Sequence, residues 1–128
     1  MTATRPKSLV EVAGRVLAGG SFRFELADFL DEFYQSPNAA ALAEEPAFLA
    51  ATCERGPHRD AFLAATAEWL SGKFNLPAGR WILDRRRYLP EPSFAMKTRE
   101  GRIFLLKDSP GAFKSRNLFV TGNVLERV

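Results

Sequence analysis

The chain contains one histidine, His58, and one cysteine, Cys53. A zinc centre draws several ligands from these residue types, and nucleophilic catalysis sets a base against an activated hydroxyl or thiol, so we expect neither chemistry from one chain. His58 follows Gly56-Pro57 ahead of a helical segment, the setting of a solvent-exposed turn histidine. Cys53, among apolar neighbours, reads as a small core residue. Gly19-Gly20-Ser21 also precedes a helix and offers backbone N–H groups to an anion, but it lacks the lysine and spacing of a phosphate loop.

Charged side chains form the more informative groups. Glu25, Asp28 and Glu32 recur at helical spacing with Asp31 and Gln35 beside them, so one helix face gathers four carboxylates. Such a face holds a divalent cation when a second acidic set opposes it, but Glu44, Glu45 and Glu54 have no matching register. We therefore expect Glu25, Asp28, Asp31 and Glu32 to form a contact surface for a basic protein partner, with no metal and no cofactor. Arg85, Arg86 and Arg87, with Lys97, Arg99, Arg102, Lys107, Lys114 and Arg116, supply a basic counterpart. Tyr88, Phe94 and Phe104 lie among them and could stack on bases, which makes Arg85, Arg86, Arg87, Lys114 and Arg116 an alternative nucleic-acid-binding surface. No recognition helix behind a tight turn accompanies it. Trp81 and Tyr88 are the aromatic pair that could line a small-molecule pocket.

Helices must carry these side chains, and the apolar spacing supplies them. Ser8 and Glu11 make a capping box ahead of Leu9, Val12, Ala13, Val16 and Leu17, predicting a helix over 8–18 that Gly19-Gly20 ends. Ser21 caps a second helix over 22–35, with a stripe of Phe22, Leu26, Phe29, Leu30 and Phe33. Ser36-Pro37 reads as the start of a short third helix, and Pro46 as the start of another through Cys53. Phe62, Ala65, Thr66, Trp69, Leu70 and Phe74 predict the longest helix, over 59–74.

Pro77, Gly79, Pro90 and Pro92 then break the chain into an ordered aromatic loop with a helical turn near 81–87. Residues 102–106 suit a buried strand or a short helix; helix is preferred because no second strand is evident. Ser109-Pro110 opens a short helix to about Arg116, and Thr121 caps a last turn through Val128. The fold expected is mainly α, one domain over 1–128: an orthogonal helical bundle with an aromatic, proline-rich ordered loop, short C-terminal helices and a flexible segment 1–7. Phe29, Phe33, Phe62, Trp69, Leu70 and Trp81 should form its core.

Of the 128 residues 46% are hydrophobic and 12% aromatic, enough for one core and against disorder. With 26% charged residues, no run approaches the roughly 18 apolar residues of a membrane span. One cysteine excludes an internal disulfide framework, and the first residues lack the apolar run and cleavage site of a signal peptide, so a cytoplasmic location is expected. The net charge of +3 is unevenly spread: residues 1–64 hold six Lys or Arg against nine Asp or Glu, and residues 65–128 hold twelve against six. That asymmetry suits either an acidic first half meeting a basic protein or two halves attracting each other.

The run Ala65-Thr66-Ala67-Glu68-Trp69-Leu70, then Phe74-Asn75-Leu76-Pro77-Ala78-Gly79-Arg80-Trp81, then Asp84 through Phe94, resembles a group of uncharacterised bacterial proteins. Arg116-Asn117-Leu118-Phe119-Val120-Thr121 is similar to the run that closes the same group, and the helix at Phe29-Leu30-Asp31-Glu32-Phe33-Tyr34 also looks alike. The resemblance implies an antitoxin-like partner in a toxin–antitoxin pair with a nucleotidyltransferase-type protein, or the tail of a helix-turn-helix regulator. No helix-turn-helix precedes the shared segment. Arg55 and His58 lie three apart across a Gly-Pro break, unlike the arginine-to-histidine spacing of the helical ribonucleases of such pairs. The expectation is therefore a non-catalytic interaction module, antitoxin-like, binding a protein encoded nearby through its acidic face; the alternative is a small nucleic-acid-binding regulator using the basic second half.

Overall fold

Ser8 starts the first helix by accepting the Glu11 amide on its Oγ (3.2 Å), while the Glu11 carboxylate accepts the Lys7 amide (3.2 Å), closing the box one residue ahead of Ser8. In the computed structural model, which describes residues 4–52 and 55–127, this helix is α1 (Leu9–Leu17). Pro6 is buried beneath the lead-in, and the Thr4 carbonyl accepts a hydrogen bond from Arg15 Nη1 (2.5 Å). Gly19 turns the chain at φ 108°, a left-handed value natural to glycine, into α2 (Phe22–Gln35). α2 packs on α1 and buries Leu26, Phe29, Leu30 and Phe33, the stripe expected apart from Phe22, which is half-buried.

The two short helices expected next fare differently. α3 covers only Ala40–Ala43; Asn38, ahead of it, accepts the Ala41 amide on Oδ1 (3.0 Å), and Pro37 stays outside the helix. Residues 47–52 are not helical but extended and then turned. The Asp60 carboxylate accepts the amides of Leu49 (2.7 Å) and Ala50 (3.1 Å), a tertiary partner that outweighs local helix propensity. Cys53 and the core role expected for it lie outside the described residues.

α4 (Gly56–Phe74) begins three residues before the expected start, with Pro57 in its first turn, and ends at Asn75 in the left-handed region (φ 54°). It is buried on nearly every side: Asp60, Ala61, Leu63, Ala64, Ala65, Thr66, Ala67 and Leu70 are all enclosed, because its alanines let neighbours approach all round. Phe29, Phe33, Leu70 and Trp81 are in the core as expected, whereas Phe62 and Trp69 are half-buried at its edge. α2 meets α4 through rings rather than close backbone approach: Phe22 stands edge-on to Phe62 at 5.8 Å and Phe33 to Phe74 at 5.5 Å.

The aromatic loop is ordered and holds two 3-10 turns, Arg80–Leu83 and Arg85–Arg87, packed on α4. Trp81 Nε1 donates to the Leu42 carbonyl (3.1 Å), fixing the loop to α3. Residues 102–106 fall inside a helix, α5 (Arg99–Asp108), and α6 (Gly111–Lys114) packs on α4. A parallel pairing appears that the spacing did not suggest: β1 (Ser93–Phe94) runs beside β2 (Leu118–Phe119), with Phe94 and Phe119 stacked at 4.6 Å. Residues 122–125 turn after Thr121, whose carbonyl accepts the Val124 amide (3.1 Å), without forming a helix; Val128 lies outside the described residues. The fold is mainly helical, and no described helix is long and apolar enough to cross a membrane.

Candidate functional site

Two of the five residues expected to bind nucleic acid are interior. Arg87 and Arg116 are wholly buried. Arg87 donates to the carbonyls of Pro46 (2.5 Å) and Asp60 (3.4 Å) and to Glu45 (3.4 Å), pairs with the Asp60 carboxylate (3.7 Å), and lies over Phe48. Arg116 donates to Glu68 (2.9 Å) and to the carbonyls of Ala112 (2.8 Å) and Ile82 (2.7 Å), above the Tyr88 ring. A guanidinium carries five donors fixed in one plane, so each reaches acceptors on several chain segments at once in directions that a point-like ammonium does not match. Burial raises the Asp60 carboxyl above its usual range, against the Leu49 amide and Arg87, which pull it down.

Arg85, Arg86 and Lys114 are exposed. Arg86 is nonetheless engaged in a forked pair with Asp84 (3.1 and 2.8 Å), which holds the Asp84 carboxyl down to about 2. The five residues do not assemble into one surface.

The acidic face is only half open. Glu25 lies 3.6 Å from Arg15, and Asp31 accepts a forked pair from Arg127 (2.9 and 3.2 Å), whose hydrogen bonds hold its carboxyl below the usual range. Asp28 is exposed and Glu32 partly so, and neither enters an ion pair among the described residues. Among those residues no three His, Cys, Asp or Glu side chains converge as a metal site would require.

α5 carries a surface that sequence reading missed. Thr98 caps it through the Gly101 amide (3.0 Å), and Ser109 anchors its end, donating to the Leu105 carbonyl (2.6 Å) and accepting the Val120 amide (3.0 Å). Leu105 is its only buried residue, while Ile103 (46%), Phe104 (50%) and Leu106 (48%) stand in solvent beside exposed Met96. Arg99, Arg102 and Lys107 are exposed on the same helix. The signal was present: four successive apolar residues at 100° per residue point all round a helix, and a surface helix can bury only one side.

His58 is not the exposed turn residue expected. It lies half-buried over Phe62 (6.3 Å) and is pushed down to about 4 by burial and by Arg55, Arg59 and Lys97. It borders a cleft of about 640 Å³ between the starts of α2 and α4 and the C-terminal segment, lined by Phe22, Leu26, Leu30, Phe62 and Val124 with Arg23, Arg55, Arg59 and Arg127. A second, shallower space of about 700 Å³ includes Trp81, Leu83 and Asp84 but not Tyr88, which lies under Arg116 instead. Compared with protein-family models, with curated proteins and with solved structures, the chain matches none.

Proposed function

We propose that the protein is a non-catalytic interaction module that docks a partner protein on α5. The observation that carries this reading is the half-exposed trio Ile103, Phe104 and Leu106 on a helix that buries only Leu105. Large apolar side chains grouped in water at the edge of a small domain mark a contact surface. Arg99, Arg102 and Lys107 share the helix with the trio and outnumber its exposed Glu100 and Asp108, so the proposed partner presents an apolar patch with acidic side chains at its border. This shifts the expected docking face away from α2, where Glu25 and Asp31 already have internal partners. An antitoxin-like role fits this module, with a nucleotidyltransferase-type protein encoded beside it as the first candidate partner.

The test is site-specific photo-crosslinking in the native host, with the probe at Phe104 or at Asp28. A defined protein adduct from position 104 that disappears in an Ile103→Glu/Leu106→Glu background is the expected result. Adducts from position 28 alone, or recovery of the wild type but not the α5 variant on anionic lipid vesicles without any protein adduct, would overturn it.

A further inference from the structure

We infer that the cleft between α2 and α4 binds a small amphipathic anion, its aromatic or acyl body against Phe22, Leu26 and Phe62 and its carboxylate or phosphate head among Arg23, Arg55 and Arg59. The cleft's volume of about 640 Å³ lies in the range that encloses small organic ligands. Its floor is apolar and aromatic: Phe22 and Phe62 meet edge-on at 5.8 Å, and Phe62 packs in turn on buried Phe113 at 4.9 Å. Phe24 also lines the cleft, with 68% of its surface exposed.

The polar lining has one dominant sign. Among the described lining residues, Arg23, Arg55, Arg59 and Arg127 face one carboxylate, Glu126, and Arg127 is already paired with Asp31. Arg23, Arg55 and Arg59 enter no ion pair among the described residues; Arg59 only lies against the Phe22 ring at 5.5 Å. The first turns of α2 and α4, 14 and 19 residues long, both border the cleft, so the positive ends of two helices add to the field, with Ser21 Oγ already accepting the Phe24 amide (3.4 Å). The depressed basicity of His58, caused after burial by Arg55, Arg59 and Lys97, reports the same excess of positive charge from inside the cleft. An apolar floor beneath uncompensated arginines is complementary to a molecule with one apolar body and one anionic end. It is poorly matched to a neutral hydrophobe or to a bare inorganic ion.

The probe is 8-anilinonaphthalene-1-sulfonate, followed by fluorescence with the full chain, while the imidazole signals of the single histidine are recorded by NMR. Saturable binding of one probe per chain is expected, with the His58 signals moving along the same curve. 2-Naphthoate or naphthyl phosphate should displace it, the better competitor identifying the head group. Arg23→Gln/Arg55→Gln removes two exposed side chains and should weaken binding about tenfold or more, as loss of charge-assisted hydrogen bonds predicts. Ile103→Glu/Leu106→Glu, which removes the α5 surface, should leave it unchanged. Absence of saturable binding, equal displacement by inorganic phosphate or 2-naphthalenemethanol, or loss in the α5 variant with the arginine variant unaffected would each overturn the inference.

Discussion

Arg87 and Asp60 show what one interior charge does in a domain of this size. The guanidinium is enclosed among Pro46, Glu45, Asp60 and Phe48, so truncating it strands a buried carboxylate beside empty space. Arg87→Ala should cost about 3–5 kcal/mol in urea unfolding, and Arg87→Lys should recover little because an ammonium cannot fork between these acceptors. Arg85→Gln, two residues away and exposed, should leave the midpoint where it is.

His58 gives a second test. Its value falls from 6.5 to about 4 on folding, so between those limits the unfolded chain holds a proton that the folded chain does not. Stability is therefore unaffected above pH 6.5, declines as the pH falls below it, and the penalty is complete near pH 4. Solvent reaching the half-buried ring leaves a contribution on the order of 1 kcal/mol. His58→Gln should flatten that part of the pH profile; an unchanged slope between pH 4 and 6.5 would refute the assignment.

Among the elements, α4 is held by close approach at one end and exposed at the other. A Cβ added to Gly56 would stand 2.2 Å from the Leu49 carbonyl oxygen, whereas one added to Gly72 meets nothing within 4 Å. Gly56→Ala should cost about 1–3 kcal/mol through overpacking, although alanine is the better helix former. Gly72→Ala should instead stabilise by about 0.5–1 kcal/mol. Opposite signs in thermal melts check both, and the same sign at the two positions would mean that the α4 start does not lie against residues 49–50. α5 differs from α4, since one buried leucine and Ser109 tie it down and most of its apolar side chains face outward.

At the scale of the molecule, the uneven charge is partly spent internally. Asp31–Arg127, Asp60–Arg87 and Glu45–Arg87 join acidic residues of the first half to arginines of the second. Trp81 adds a hydrogen bond to Leu42 and packs in the same core as α1, α2 and α4. The two halves should therefore unfold together: tryptophan fluorescence and far-ultraviolet circular dichroism should give coincident urea transitions. Separated midpoints would show that the C-terminal part is an independent layer.

Ser8, Ser21 and the spacing of Leu26, Phe29, Leu30 and Phe33 determined α1 and α2 from the sequence alone, and Pro77 through Pro92 marked the aromatic loop, because caps, apolar periods and prolines act within a turn or two. Tertiary structure decided the rest. Arg87 finds its carbonyl at Pro46, 41 residues earlier, and Arg116 finds Glu68, 48 residues earlier, so no local pattern distinguishes either from the exposed Arg85. Residues 47–52 surrendered helical propensity to the Asp60 carboxylate, and Leu118-Phe119 became a strand because Ser93-Phe94 arrived beside it. The cleft belongs to the same class: Phe22 and Phe62 are 40 positions apart, and only packing α2 against α4 through their rings sets an apolar floor among arginines. Local spacing assigns residues to helices; which charges those helices enclose and which they leave facing water depends on partners the spacing does not contain.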